Sequence, residues 1–194
     1  MEYNINIFID NKEFQSMLID GWYTHATQIK SPNFSSRSNK MKISLVVMHC
    51  ISLPEGVYDN SNIENLFTNS LNCNLDNTFQ SLVGVEVSAH FCIKRNGEVI
   101  QFVSVDDKAW HAGVSSYNGV SSCNDFSIGI EMQGTDSSTY EELQYVSLNK
   151  LLLEIRKYCP KVCDIASHSD IAPGRKTDPG KCFDWTKVDF IVCS

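Results

Sequence analysis

The strongest structural signal in this chain is SLVVMHCISL, residues 44–53. Val46, Val47 and Met48 form an unbroken apolar run, largely β-branched, which is typical of a central strand covered on both faces. His49 interrupts this run near its C-terminal end. A strand covered on both faces needs layers packed on both sides, so the sequence predicts an α/β (α+β) fold with a central sheet flanked by helices.

Three further segments supply neighbours for this strand. VEVSAHFCIKRNGEVIQFVSV, residues 85–105, predicts two strands joined at Asn96–Gly97, a pair that favours a type I′ turn. FSIGIEMQG, residues 126–134, predicts a strand whose strict alternation places Glu131 on the face opposite to its apolar neighbours. VCDIASH, residues 162–168, predicts a final short strand.

Two helices are expected. NIENLFTNSL, residues 62–71, has a short amphipathic pattern. A long helix is predicted to begin with Thr139 as N-cap and Glu142 as its capping-box partner, and to end before Pro160. Its apolar face repeats at helical spacing at Leu148, Leu151, Leu152, Ile155 and Tyr158.

The chain of 194 residues suits one compact domain. Residues 1 to about 40 show no firm periodicity, and the polar, proline-containing segment 30–40 predicts a loop. The core is therefore expected to begin at the strand 44–53. No internal repeat or linker divides the remainder.

Composition and charge narrow the possible functions. The formal net charge of −7 argues against non-specific binding to nucleic acid or anionic membranes, because both need a positive field. No run approaches the roughly 20 apolar residues of a membrane helix. The first twenty residues lack the basic start and apolar region of a signal peptide. We therefore expect a cytoplasmic protein that binds neither nucleic acid nor membrane.

Eight cysteines are many for a cytosolic chain, and their even number leaves disulfides open. The missing export signal argues against disulfides. Cys50 and Cys92 lie in apolar strand-like runs, where a thiol usually behaves as a small buried hydrophobic group. Cys159 and Cys163 are four residues apart without a matching second pair, so a structural zinc cluster is a weak hypothesis.

Two histidines stand where strands are predicted to end. His49 and His168 each close an apolar run, and the ends of strands place side chains at the rim of a site. A single histidine in such a place is more often structural than a ligand. Asp178 could return across a Pro-Gly loop to complete a His₂Asp set, which a catalytic zinc uses with one position open. Spacing alone leaves this undecided, since no short motif such as HExxH is present.

Other residues could serve chemistry or packing. A carboxylate on a strand covered on both faces costs free energy unless it is paired or functional, so Glu131 could form a salt bridge or act as a general base. Lys176 could stabilise an oxyanion or lie solvated on a loop. In KAWHAGVSSYNG, residues 108–119, Trp110 and His111 could line a groove or anchor a loop in the core.

These segments, in this order, resemble the cytosolic AmpD-type N-acetylmuramoyl-L-alanine amidases, which share the fold of peptidoglycan recognition proteins and phage amidases. The similarity spans nearly the whole chain, through GWYTHATQIKSPNF, VVMHCISLPEG, VSAHFCIKRNGEVIQFV, AWHAGVSSYNG, CNDFSIGIEMQGTD and HSDIAPGRKTDPGKCFDW. It implies a single amidase domain over residues 1–194, with a catalytic core at about 41–186.

The resemblance also implies a chemistry. The implied site residues are the zinc ligands His49, His168 and Asp178, the catalytic residues Glu131 and Lys176, and the groove residues Trp110, His111 and Arg175. One zinc ion per chain would be bound, with Glu131 as general base and Lys176 at the oxyanion. The substrate would be a small muropeptide, preferably the 1,6-anhydro form, cleaved between N-acetylmuramic acid and L-alanine by a monomer during peptidoglycan recycling.

Three departures from the family pattern qualify these expectations. Cys50 replaces the Asn that follows the first zinc histidine, but strand alternation turns it to the opposite face, so metal binding should survive. Glu86 and the stretch Val120–Ser122 replace basic residues, which weakens the expected recognition of acidic stem peptides. The main alternative is a non-catalytic peptidoglycan recognition module of the same fold. A secreted lytic amidase and a thiol-dependent protein are further alternatives with less support.

Overall fold

The structure, a computed structural model, describes residues 16–38 and 42–190. Its strands within these residues are β1 (Leu18–Ile19), β2 (Trp22–Tyr23), β3 (Thr27–Gln28), β4 (Phe34–Ser36), β5 (Leu45–Ile51), β6 (Phe91–Ile93), β7 (Val99–Gln101), β8 (Asp107–Ala109), β9 (Ser116–Tyr117), β10 (Val120–Ser121), β11 (Ser127–Gln133) and β12 (Asp164–Ser167). Its α-helices are α1 (Asn62–Phe67), α2 (Glu142–Tyr158) and α3 (His168–Ile171), and 3₁₀ segments cover Asn77–Leu82, Cys123–Asp125 and Trp185–Lys187.

A six-stranded sheet in the order β12-β5-β11-β6-β7-β3 forms the centre of the fold. Every neighbouring pair is parallel except β6 and β7, which form the predicted hairpin. The carboxyl ends of β12, β5 and β11 therefore meet at one edge, where open α/β sheets usually place their sites. The predicted fold class, a central sheet flanked by helices, is confirmed.

The sheet is covered on both faces. The apolar face of α2 packs on one side against β5, β6 and β11, and Leu148, Leu151, Leu152 and Ile155 are fully buried there. Each such side chain contributes about 1.5–3 kcal/mol of burial free energy. Helices α1 and α3 cover the other side through two separate apolar clusters. The site described below lies on this second side.

The β6–β7 hairpin has a different turn from the predicted one. The amide of Gly97 donates to the carbonyl of Lys94 at 2.8 Å, and the amide of Lys94 donates to the carbonyl of Glu98 at 2.9 Å. Gly97 has φ of +84°, whereas Asn96 is not among the residues with positive φ. The connection is thus a three-residue loop that ends in a left-handed glycine. Type I′ was wrong because the Asn96 side chain accepts from the Glu98 amide instead, at 3.0 Å.

Helix α2 begins later than predicted. Its N-cap is Glu141, which shares a capping box with Gln144, so the assignment of Thr139 and Glu142 was wrong. The carbonyl of Thr139 accepts from Arg95 at 2.8 Å. The buried Tyr140 hydroxyl donates to the carbonyl of Pro179 at 2.8 Å. These tertiary contacts hold residues 139 and 140 outside the helix. The helix ends at residue 158, before Pro160, as predicted.

The core also begins earlier than predicted. Leu18 and Tyr23 are buried against the α2 side of the sheet, and β3 forms the edge strand beside β7. The segment 30–40, expected to be a loop, contains β4, which pairs with β8; residues 39 and 40 lie outside the described residues. Strands of two or three residues are too short to show a periodicity, which explains why the sequence did not reveal them.

Other expectations concern cysteines and membranes. No two cysteines in the described part of the chain are joined by a disulfide, and Cys92 is fully buried on its strand. Cys193 lies outside the described residues, as do the first fifteen of the twenty residues on which the signal-peptide expectation rests. Across residues 16–38 and 42–190, no helix has the length and apolar character needed to cross a bilayer.

Candidate active site

Strand register brings the first three site residues together. Glu131 of β11 pairs directly with His49 of β5. On the other side of β5, Ser167 of β12 pairs with Met48, so the next residue, His168, continues toward His49. Alternation turns His49 and Glu131 away from α2, onto the side covered by α1 and α3. Three adjacent strands thus deliver three functional side chains to one edge of the sheet.

The loop after α3 returns Asp178 to this edge. Helix α3 starts at His168, capped by a reciprocal pair of hydrogen bonds between Ser167 and Asp170. The carbonyl of Asp178 then accepts from the amide of Ser169 at 3.1 Å, which closes the loop onto the helix. Gly180 has φ of +84° and packs directly against the backbone of residue 136, where a Cβ would lie 2.2 Å from the carbonyl oxygen. Only glycine fits this close approach.

Three ligand-type atoms converge where these elements meet. His49 Nδ1 lies 2.9 Å from His168 Nδ1, and Asp178 Oδ2 lies 3.1 Å and 3.0 Å from the two nitrogens. His168 Nε2 lies 3.2 Å from the carbonyl of Ala112, which can only accept, so Nε2 carries a proton and Nδ1 is the ring nitrogen that faces the other two residues. The predicted set His49, His168 and Asp178 is therefore a group that could bind a metal ion.

The spacing of these atoms fits a small divalent cation. A tetrahedral zinc with bonds of about 2.0–2.1 Å holds its ligand atoms about 3.3–3.4 Å apart. The observed separations of 2.9–3.1 Å are only a few tenths of an ångström shorter. Two nitrogens and one carboxylate oxygen also match the donor types that zinc accepts. His49, His168 and Asp178 therefore fit a zinc ion.

Burial controls the ionisation of this set. Loss of solvation lowers the pKa of His49 to about 4, against the opposing effect of the Asp178 carboxylate. Burial opposes ionisation of Asp178, yet its contacts with the rings of His168 and His49 hold the pKa of its carboxyl below the ordinary value. At neutral pH the set therefore holds a neutral His49 beside an ionised carboxylate, which is the state that binds a cation.

Glu131 is a buried carboxyl without a complete set of partners. Its side chain belongs to a residue only 8% exposed, and its Oε2 has no hydrogen-bond partner among the described residues. Burial, and then the negative charge of Asp178, raise the pKa of Glu131 well above the ordinary value, while Lys176 acts in the opposite direction. A carboxyl with a raised pKa beside a metal-ligand set has the properties of a general acid or base.

A cavity of about 520 Å³ opens over these residues. It is lined by the three candidate ligands, by Glu131 and Lys176, and by all three predicted groove residues, Trp110, His111 and Arg175. Its volume falls within the range of about 300–1,000 Å³ that is usual for small-molecule sites. Lys176 is exposed, so its ammonium group is free to approach a ligand in this cavity.

The polar groups of the three groove residues are already engaged by the protein. Trp110 Nε1 donates to the hydroxyl of Ser35 at 3.2 Å. Arg175 Nη2 donates to the carbonyls of Ala112 and Val114, at 2.5 Å and 2.7 Å. Both ring nitrogens of His111 have partners: Nδ1 lies 2.9 Å from Nε2 of His49, and Nε2 lies 3.2 Å from the hydroxyl of Ser127. These residues therefore hold the walls of the cavity together, in addition to lining it.

The departures from the family pattern lie in different places. Cys50 packs against the core cluster on the α2 side, opposite to His49, as strand alternation predicted. Glu86 is exposed and lines a smaller neighbouring cavity that shares Leu66 and Leu82 with the larger one. The stretch Val120–Ser122 forms β10 and the residue after it, all exposed.

Sequence reasoning missed several residues that support this site. Asn124 accepts from the backbone next to His111, Ser127 contacts its ring, and Gly129 leaves space for that ring. All three belong to CNDFSIG, which was singled out as part of a motif but without a role for its small and polar members. A glycine and a serine on the same face of a buried strand were the available signal, since such positions admit another group close to the sheet.

The fold and the site together define a class. Two imidazoles and a carboxylate of ligand type, with a buried glutamate beside them in an open cavity, are typical of hydrolases that activate water at a divalent metal. The sequence profile of the N-acetylmuramoyl-L-alanine amidases matches residues 39–181. The chain belongs to this family of amidases.

Individual relatives agree with this assignment. The chain is 43% identical over 178 residues to 1,6-anhydro-N-acetylmuramyl-L-alanine amidase AmpD of Citrobacter freundii, covering 91% of this chain and 95% of that protein. It superimposes on the crystal structure of a selenomethionine derivative of AmpD with a TM-score of 0.86 and 43% identity, over 88% of this chain and 96% of that one.

A more distant structure shares the fold alone. Drosophila peptidoglycan recognition protein SD has a TM-score of 0.55 and 18% identity, over 85% of this chain and 94% of that one. The predicted family, fold and enzyme class, an amidase and therefore a hydrolase, are confirmed.

Proposed function

We propose that this protein is a cytoplasmic, zinc-dependent amidase of peptidoglycan recycling that cleaves the bond between N-acetylmuramic acid, preferably in its 1,6-anhydro form, and L-alanine of a muropeptide. The observation that supports this proposal most directly is the convergence of His49, His168 and Asp178 beside buried Glu131 in one cavity. Similarity over nearly full length to 1,6-anhydro-N-acetylmuramyl-L-alanine amidase AmpD supports the substrate class.

In this proposal His49, His168 and Asp178 hold one zinc ion per chain. When bound, zinc supplies positive charge that polarises a carbonyl oxygen and lowers the pKa of water. The protein's contribution to holding the ion is a preformed set of atoms 2.9–3.1 Å apart, in which His168 has its proton fixed on Nε2. Pre-positioned ligands avoid ordering three side chains when the ion binds.

Glu131 is proposed to move the protons of the reaction. As a base it takes a proton from water as the water oxygen bonds to the amide carbon. As an acid it delivers that proton to the alanine nitrogen when the C–N bond breaks. A raised pKa suits both steps, because the carboxyl then exchanges protons closer to neutral pH. The exposed ammonium group of Lys176 is proposed to stabilise the negative charge on the carbonyl oxygen.

Substrate contact is proposed for the apolar surfaces of the cavity walls. The ring nitrogens of Trp110 and His111 and Nη2 of Arg175 are engaged within the protein, so ring faces and the rest of the guanidinium group remain for the sugar and the stem peptide. Glu86 adds negative charge at the neighbouring cavity, where the family resemblance led us to expect a basic residue. We therefore propose weaker selection for acidic stem peptides than the resemblance implies. The enzyme is proposed to act as a monomer on this small substrate.

The test is hydrolysis of 1,6-anhydro-N-acetylmuramoyl-tripeptide by the purified protein, measured as release of free peptide and anhydro-sugar. We expect turnover that a chelator abolishes and that zinc restores. The matched substrate with a reducing N-acetylmuramic acid in place of the anhydro sugar should be cleaved more slowly. Equal rates on the two substrates would refute the preference for the anhydro sugar but not the amidase function.

A folded, zinc-loaded protein that binds the muropeptide without cleaving it would overturn the proposal in favour of a recognition module. The presence of all five candidate metal-binding and catalytic side chains around one cavity favours the enzyme. Binding is measured by calorimetry on the same substrate, so the two functions give opposite results in one pair of experiments.

A further inference from the structure

We propose that His111, besides lining the cavity, is a positioning residue, and that it ends a hydrogen-bond relay which fixes the tautomer of His49. The relay runs from the carbonyl of Cys123 through the hydroxyl of Ser127 and the ring of His111 to His49. It leaves His49 Nδ1 unprotonated and facing the other two candidate ligands. This inference rests on the metal site proposed above.

The first link sets the direction of the relay. Ser127 Oγ lies 2.6 Å from the carbonyl of Cys123, which can only accept, so the single hydroxyl proton points there. The same oxygen lies 3.2 Å from His111 Nε2 and must therefore accept from it. His111 consequently carries its proton on Nε2 and a lone pair on Nδ1.

The second link transmits this arrangement to the ligand. His111 Nδ1 lies 2.9 Å from His49 Nε2, and a lone pair on the first atom requires a proton on the second. A neutral His49 with a proton on Nε2 presents Nδ1 as a lone pair, 2.9 Å and 3.1 Å from the neighbouring ligand atoms. Metal-binding histidines generally donate their other N–H in this manner, and removal of the acceptor weakens metal binding.

The same segment orients the second histidine. The carbonyl of Ala112, the residue after His111, accepts from His168 Nε2 at 3.2 Å. The side-chain oxygen of Asn124 accepts from the amides of His111 and Ala112, at 3.3 Å and 2.8 Å. One dipeptide, held by one carboxamide, thus supplies the hydrogen-bond acceptors of both candidate ligand histidines.

A glycine in the sheet provides the seat for the His111 ring. A Cβ placed on Gly129 would lie 2.4 Å from Cγ and 2.6 Å from Nδ1 of His111, which is closer than non-bonded carbon atoms approach. The ring therefore occupies the space that any other residue at position 129 would fill. Gly129 lies on the same face of β11 as Ser127 and Glu131. Alternate positions of this strand therefore provide the hydrogen-bond acceptor for the His111 ring, the space for that ring and the proposed general base.

The test compares two substitutions of one residue. His111→Phe keeps a planar ring over Gly129 but removes both nitrogens, whereas His111→Gln keeps an acceptor for His49 and a donor for Ser127. Zinc affinity is measured by competition with a chromogenic chelator at fixed pH. We expect His111→Phe to bind zinc about 10–100-fold more weakly and His111→Gln to recover most of that loss. His25→Phe, at an exposed histidine that contacts Tyr23, is the matched control and should bind zinc normally.

A spectroscopic measurement on the wild-type protein gives an independent result. Long-range ¹H–¹⁵N correlation spectra of the zinc-loaded protein should show His111 as the neutral tautomer with the proton on Nε2. A proton on Nδ1 of His111, or a doubly protonated ring, would overturn the relay. This measurement decides the question even where the Phe variant does not fold.

The outcomes separate the relay from the metal site itself. Unchanged zinc affinity in a folded His111→Phe protein, or an equal loss in the Phe and Gln variants, would refute the relay while leaving the metal site in place. A wild-type protein that binds no zinc would refute the proposed metal site instead.

Discussion

Replacement of Glu131 by Gln tests the proposed catalytic base most directly. The substitution keeps the size and shape of the side chain but removes its capacity to hold and release a proton. The structure indicates that little else changes, because Glu131 is 8% exposed and its Oε2 has no hydrogen-bond partner among the described residues. The three candidate metal ligands are untouched, so zinc should bind as in the wild type.

The expected loss of activity follows from the role of the group. A general base or acid in position contributes about 10²–10⁴-fold to the rate, which corresponds to about 3–5.5 kcal/mol of transition-state stabilisation. Glu131→Gln should therefore lower kcat by two to four orders of magnitude at unchanged zinc content. KM should change little, since the reacting proton, not substrate binding, is affected.

Stability should change in the opposite direction. Burial raises the pKa of Glu131 well above its ordinary value, so the ionised form is disfavoured in the native state. The wild-type, metal-free protein then loses stability as the pH rises from the ordinary carboxyl range through the raised pKa. Glutamine does not titrate. The metal-free variant should therefore unfold at a higher temperature than the wild type at pH 8, and this difference should vanish near pH 4.

The assay pairs zinc analysis with hydrolysis of the anhydro-muropeptide and with thermal unfolding. Glu64→Gln is the matched control, because Glu64 is also 8% exposed but lies on α1 in an ion pair with Lys94 at 2.7 Å. This control should retain full turnover and lose a little stability. Turnover of Glu131→Gln within about tenfold of the wild type, with zinc bound, would refute the assignment of Glu131 as the proton carrier.

Four further predictions address the ligands, the support of the site and the core. His168→Ala should lose zinc and activity together, and stoichiometric zinc in that variant by elemental analysis would contradict the ligand assignment. Chelation of the wild type should abolish turnover, and zinc should restore it; activity that persists in a protein shown to be metal-free would refute a metal mechanism. Gly129→Ala places a methyl group in the His111 ring and should weaken zinc binding in the chelator competition, whereas wild-type affinity would show that the ring can move without consequence. Leu151→Ala, in the fully buried face of α2, should lower the free energy of unfolding by about 2–5 kcal/mol in denaturant titration without changing zinc affinity, and a loss below about 1 kcal/mol would contradict its place in the core.

Much of the fold could be predicted from the sequence where a signal is local and repeated. The apolar run around Val47 and the alternation around Glu131 predicted β5 and β11, and the helical spacing of leucines predicted the buried face of α2. These patterns work because burial of one face imposes a period of 2 or 3.6 on the residues themselves. Ordered motifs such as HSDIAPGRKTDPG added the family and its candidate site residues, which local patterns alone had left undecided.

Other features depended on partners distant in the chain. Strands β3 and β4 form through pairing with β7 and β8, and strands of two or three residues carry no period of their own. The start of α2 was decided by tertiary contacts of Arg95 and Tyr140 that override local preference. The turn at Gly97, by contrast, was decided by the local hydrogen bond between the Asn96 side chain and the Glu98 amide.

For the site, the sequence by itself named the side chains, and the tertiary structure decided their geometry. His49 and Glu131 are 82 positions apart in the chain and become neighbours only through parallel strand register. The small distances among His49, His168 and Asp178, and the relay through His111, arise because the fold brings separate strands and loops together at one edge of the sheet. The sequence gives the residue type, but it does not give the tautomer of a histidine. The tautomer is fixed only when the fold places a hydrogen-bond acceptor next to one ring nitrogen, which leaves the other nitrogen with a lone pair for a metal ion.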